Sequence, residues 1–96
     1  MQDARTKKLA IIGSTGSIGR SALDVVRQHR DRFEVVALAA GTNAAMLIEQ
    51  AREFCPRHVA LMDKDAARTV TDAGLDVDVR AGAEGVASLA MLEGVD

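Results

Sequence analysis

The chain is predicted to fold as an α/β domain around a doubly wound parallel sheet. Three observations predict it. Short apolar runs rich in Val, Ile, Leu and Ala alternate with segments of helical period. The first run, Leu9 to Ile12, stops at a glycine, and glycines then recur at every third position: Gly13, Gly16 and Gly19. The resulting order, β-α-β-α-β-α-β-α, is what parallel strands joined by right-handed helical crossovers require.

The elements follow in order. Lys8 to Ile12 reads as a strand apolar enough to be buried on both faces. A helix from about Ser17 to Arg30 follows, with apolar residues at Ile18, Ala22, Val25 and Val26. Its outer face carries Arg20, Asp24, Arg27 and Gln28, with Asp24 and Arg27 spaced for a surface ion pair. His29 stands near its C-terminal end, where a cation suits the helix dipole. Phe33 to Ala40 is a second strand, parallel to the first and beside it. Thr42 or Asn43 caps a helix over Ala44 to Phe54, stopped by Pro56. Its polar residues Glu49, Gln50, Arg52 and Glu53 are expected to face water. His58 to Met62 is the third strand, and Asp63 caps a helix over Lys64 to Ala73. Gly74 ends that helix in the left-handed region. Val77 to Val79 is a short fourth strand, alternating with Asp76, Asp78 and Arg80, and a last helix runs from Glu84 to Leu92. Gly94 to Asp96 lead onward, so residues 1–96 read as one domain at the front of a longer protein, cut before the later strands of a Rossmann-like sheet.

The glycine stretch carries the chemistry. The first N–H groups of a helix have no acceptor inside it, and the helix dipole adds a partial positive charge there. A diphosphate answers both needs. Gly13 lets the chain turn sharply as it leaves the strand, and Gly16 removes a side chain where phosphates must come close. Gly19 lets the first helical turn lie against the first strand. The N–H groups of Gly16, Ser17 and Ile18 are the expected donors, and the hydroxyls of Thr15 and Ser17 can cap the helix or touch phosphate. Ser14 stands where the commoner G-x-G-x-x-G pattern has its second glycine.

Composition narrows the partners. A net charge of −2, two aromatic residues and no basic block speak against nucleic acid and against a membrane surface. No apolar run approaches the ~20 residues of a membrane helix. One cysteine, Cys55, excludes an internal disulfide. It is expected to be a buried, inert thiol in a cytoplasmic protein. The opening MQDARTKK lacks a hydrophobic signal core and reads as a frayed leader. Asp63, Asp65, Asp76 and Asp78 do not converge into a metal site, and the sequence offers no catalytic constellation.

The end of the second strand selects the nucleotide. NAD-binding units place an acid there for the ribose hydroxyls. This chain has Ala39, Ala40 and Gly41, then Thr42 and Asn43. No carboxylate repels a 2′-phosphate, and Thr42 and Asn43 are neutral donors, so NADP is favoured over NAD.

GSTGSIG (Gly13 to Gly19) together with AAGTN (Ala39 to Asn43) resembles the N-terminal domain of the 1-deoxy-D-xylulose 5-phosphate reductoisomerases. LDVVRQHRDRFEVVAL, EQAREFCPRHVALMD and EGVASLAMLEGVD are similar too, so the resemblance runs from about Lys7 to the end. It implies a part of an NADPH-dependent enzyme that rearranges and reduces 1-deoxy-D-xylulose 5-phosphate to 2-C-methyl-D-erythritol 4-phosphate in non-mevalonate isoprenoid biosynthesis. It also implies a homodimer using Mg²⁺, Mn²⁺ or Co²⁺. Carried over, the NADPH contacts are Thr15, Gly16, Ser17, Ile18, Gly41 and Asn43, with Gly13 and Thr42 added by the reading above. The family often has lysine or arginine where Thr42 stands. The family's metal, catalytic and phosphosugar residues lie beyond the matched stretch. These residues alone are therefore expected to bind NADPH weakly and to turn over nothing. Other NADP-linked reductases of the dihydrodipicolinate or semialdehyde type share the glycine turn. A stand-alone, non-catalytic NADP-binding module is the other alternative.

Overall fold

The computed structural model describes residues 6–92 and residue 95. Its order is β1 (Lys7–Ile12), α1 (Ser17–Gln28), β2 (Phe33–Ala40), α2 (Ala44–Phe54), β3 (His58–Leu61), α3 (Lys64–Asp72), β4 (Asp78–Ala81) and α4 (Gly82–Ala90). All three strand pairings are parallel and the sheet order is β1-β2-β3-β4. The sheet is doubly wound. Leu23 and Val26 of α1, Leu47 and Ala51 of α2, and Ala66, Ala67 and Val70 of α3 share one core with Ile11, Leu38 and Leu61. On the opposite face Leu89 of α4 packs against Ala37, Ala39 and Ala60.

A bulge in β2 decides which side chains reach which layer. Leu9 pairs with Val35, but Ala10 pairs with Ala37, so Val36 is passed over. A one-residue slip exchanges the two faces of a strand. Val35, Leu38 and Ala40 therefore all face the three-helix layer, while Ala37 and Ala39 face α4.

Several expectations change. Among the described residues β1 is not buried throughout: Lys7 and Lys8 are exposed, and Ile12 is 49% exposed. Lys7 and Lys8 belong to β1 rather than to a frayed leader; residues 1–5 of that leader, with Gly94 and Asp96, fall outside the described residues. The buried stripe of α1 is Gly19, Leu23 and Val26, whereas Ile18 and Val25 are exposed. The glycine sets this phase, because its missing side chain brings that face of the helix onto the sheet. Asp76 lies outside β4, so it does not share a strand face with Asp78. Cys55 is exposed, since it caps α2 in the left-handed region at φ 52° and its side chain is carried away from the core.

Other features stand as read. Asn43 caps α2 through Oδ1 accepting from the Met46 N–H, and Asp63 caps α3 by accepting from Ala66. Gly74 adopts φ 75° after α3. No described helix is long and apolar enough to cross a membrane.

Two carboxylates tie elements together. Glu53 of α2 accepts from Arg27 of α1 at 2.8 Å and from Arg30 at 3.2 Å, and both guanidiniums lie over the Phe54 ring. Asp24 also accepts from Arg27. The hydrogen bond from Arg27 holds the Glu53 carboxyl below its ordinary range. Asp78 is lowered by Arg80, then by His58. A carboxylate depressed by folding stabilises above its unfolded pKa and loses that contribution as pH falls through its folded pKa. Stability is therefore expected to decline below about pH 4, modestly because both groups are exposed. Melting curves from about pH 6 to about pH 2 check this. The double variant Glu53→Gln, Asp78→Asn should flatten the decline, and an unchanged slope would discount the two clusters.

Candidate cofactor-binding site

The carboxyl ends of the parallel strands carry the site. The turn after β1 is tied to the end of β2, since the N–H groups of Gly13 and Ser14 both donate to Ala39 O, at 2.8 and 2.9 Å. Gly13 sits at φ 83°, a conformation that side chains disfavour. A Cβ on Gly19 would stand 2.1 Å from Gly13 O and 2.7 Å from Ser14 Cα, so only glycine permits this approach of α1 to the turn. Gly16 is different: its φ is −81° and a Cβ would meet only Gly13 O, at 3.5 Å. The fold does not require glycine there, which leaves clearance for a ligand as its use.

The donor set is narrower than the sequence reading. Gly16 N–H is engaged by Gly13 O at 3.1 Å, closing the turn. The N–H groups of Ser17 and Ile18 make no backbone hydrogen bond among the described residues. Gly16 itself is the N-cap and no side chain caps α1, so neither Thr15 nor Ser17 does. The first turn of α1 contains no acid. Ile18, 86% exposed, projects beside these free donors.

Gly41, Thr42 and Asn43 follow β2 directly and are all exposed. Gly41 O accepts from the Asp63 N–H at 3.1 Å, which ties this segment to the start of α3. The topology thus brings Gly13 to Ile18 and Gly41 to Asn43 to the same edge of the sheet. The first turn of α2 is also free of acids.

Three contributors escaped the sequence reading. A cavity of about 250 Å³ lies over the strand ends, lined by Ile12, Gly13, Ala39, Ala40, Gly41, Met62 and Val86. Ile12 and Met62 are half exposed there, apolar side chains at strand ends with no core to enter. Gln50, a polar residue expected to face water, is 8% exposed and its Nε2 donates to Ser14 O at 2.8 Å. Its spacing, three residues after Leu47 and one before Ala51, already put it on the core face of α2. Ser14 is fully buried. The backbone of the glycine turn is thereby held from two sides, by β2 through Ala39 and by α2 through Gln50. Among the described residues no group of three His, Cys, Asp or Glu could hold a metal ion.

A parallel sheet wrapped on both faces, with an acid-free helix N-terminus behind a glycine turn at its carboxyl edge, defines a Rossmann-like domain. Residues 9–96 match the family profile described as 1-deoxy-D-xylulose 5-phosphate reductoisomerase. The chain belongs to that family. The reductoisomerase of Anaeromyxobacter sp. (strain K) is 53% identical over 85 residues, covering 88% of this chain and 22% of that protein. That of Chlorobium chlorochromatii (strain CaD3) is 47% identical over 92 residues, covering 94% of this chain and 24% of the relative. Among solved structures, the Zymomonas mobilis reductoisomerase in complex with NADPH superposes with a TM-score of 0.87 at 29% identity, over 98% of this chain and 25% of the other. A DOX-P reductoisomerase in complex with NADPH, fosmidomycin and magnesium gives 0.84 at 39% identity, over 94% and 23%. The chain spans about a quarter of the length of these relatives.

Proposed function

We propose that this chain is the NADPH-binding part of a 1-deoxy-D-xylulose 5-phosphate reductoisomerase. The observation that carries the reading is the pair of unengaged N–H groups at Ser17 and Ile18, held open at the sheet edge by the contact between Gly19 and Gly13. The residues present fit the cofactor. Ser17 and Ile18 would donate to the diphosphate, with Thr15 beside them and Gly16 giving clearance. Thr42 and Asn43, after Gly41, would receive the adenosine ribose and its 2′-phosphate. The apolar cavity between Ile12, Met62 and Val86 offers a surface for an aromatic ring.

The cofactor, when bound, supplies a hydride to an aldehyde derived from the substrate. This chain's residues bind and orient it. The divalent cation, the phosphosugar site and the catalytic groups are assigned to the remainder of the protein, since this chain spans about a quarter of its relatives' length. The full enzyme is proposed to be a homodimer. Residues 1–96 form one cofactor domain in this reading and have no turnover of their own.

Titration of NADPH and NADH, followed by nicotinamide fluorescence, tests the reading. NADPH is expected to bind more tightly than NADH, by about tenfold or more, the worth of one added contact to a charged group. Equal affinities, or a preference for NADH, would count against it.

A further inference from the structure

We propose that Arg20 of α1 supplies the positive charge for the 2′-phosphate, the charge that Thr42 does not carry. The inference rests on the cofactor reading above and adds the residue that would set NADPH over NADH. Its basis is the register between two helices. α1 and α2 both cross over between parallel strands, so they run in the same direction. Arg27 of α1 bonds Glu53 of α2. Seven residues, about two helical turns, earlier on each helix stand Arg20 and Met46. Met46 belongs to the first turn of α2, and its N–H is capped by Asn43. Arg20 therefore stands at the level of the first turn of α2, which begins directly after the segment that follows β2.

The groove between the helices, about 510 Å³, is lined by Ser17 and Arg20 on one wall and by Met46 on the other, so the open end of α1 and the start of α2 share it. Two cations line this groove, Arg20 and Arg27. Arg27 is committed to Glu53 and Asp24. Asp24 is spaced to pair with Arg20 but bonds Arg27 instead, and Arg20 has no ion pair or side-chain hydrogen bond among the described residues. Glu49 is the carboxylate nearest along the α2 wall after Met46. Neither first turn holds an acid, so a dianionic phosphate beside Thr42 would meet two helix N-termini, two neutral donors and one available guanidinium.

The test measures NADPH and NADH dissociation constants for the protein at its full natural length, unsubstituted and as Arg20→Gln, Arg20→Lys and Lys64→Gln. Lys64 opens α3 on the far side of Gly41 and is the alternative cation. Losing a charge-assisted contact should raise the NADPH constant about 10- to 100-fold in Arg20→Gln while NADH shifts less than about twofold, and Arg20→Lys should recover part of the loss. The gap between the NADPH and NADH constants of the unsubstituted protein should also narrow with added salt, and that of Arg20→Gln should respond less. Parallel losses for both cofactors, no loss, or a larger NADPH-specific loss in Lys64→Gln would overturn the assignment and leave the cofactor reading intact. Failure of the unsubstituted protein to bind either cofactor would overturn both.

Discussion

Replacing Gly19 with alanine should cost about 3 kcal/mol, the upper end for overpacking, and abolish cofactor binding. Two effects compete. Alanine favours the helix over glycine by about 1 kcal/mol. Against this, the new Cβ would stand 2.1 Å from the carbonyl oxygen of Gly13 and 2.7 Å from the Cα of Ser14. Both are backbone atoms, so no rotamer change relieves the collision. The turn is also pinned, by Ala39 on one side and Gln50 on the other. The clash wins, and the melting temperature should fall by about 10–20 °C. Gly16→Ala is the matched contrast. Its backbone is ordinary and its Cβ would meet one oxygen at 3.5 Å, so its fold should lose less than about 1 kcal/mol, chiefly as a poorer N-cap. Its NADPH affinity should nonetheless drop, because the methyl group occupies the approach to the Ser17 and Ile18 amides. Thermal melts and NADPH titrations on both variants decide the matter. Equal melting temperatures for the two would sink the argument.

Truncating Leu89 to alanine should destabilise the domain by about 2–5 kcal/mol, the range for a fully buried leucine. Leu89 is the buried residue of α4 and is fully enclosed among Ala37, Ala39 and Ala60. Those alanines let α4 approach the sheet closely, and Leu89 is the large side chain fully buried between them. Val86 and Leu92 pack against the same cluster, and how far they relax into the void sets where in that range the loss falls. The effect should extend to the site, because Val86, one turn earlier on the same helix, lines the cavity over the strand ends. Met91→Ala is the control: that side chain is 82% exposed and its loss should move stability by less than about 0.5 kcal/mol. Denaturant melts give both values, and a Leu89→Ala loss below about 1 kcal/mol would show that α4 is not docked by this residue.

Much of this was legible in the residues themselves. Phe33–Ala40 and Ala44–Phe54 have the bounds that their patterns predict, since β-branched residues, a capping asparagine and a proline stop are local signals. The glycine turn was legible because each glycine answers a distinct steric or electrostatic demand. The misreadings share one cause. Hydrophobicity alone puts Ile18 and Val25 in the core and Gln50 at the surface, whereas helical phase puts them the other way round. The buried residues of α1 are those in line with Gly19, and Gln50 is in line with Leu47 and Ala51. Ile18, at the N-terminus of α1, is 86% exposed rather than packed on the sheet.

By itself, then, the sequence determined the alternation of strands and helices, the parallel sheet, the glycine turn and the family, because each is written in short-range patterns of size, polarity and backbone freedom. Tertiary structure alone decided how the Val36 bulge sorts β2 between two cores and how Gln50 of α2 reaches the backbone of Ser14. Those outcomes depend on register and on contacts between residues far apart in the chain, and no local pattern encodes the distance at which two packed helices come to rest.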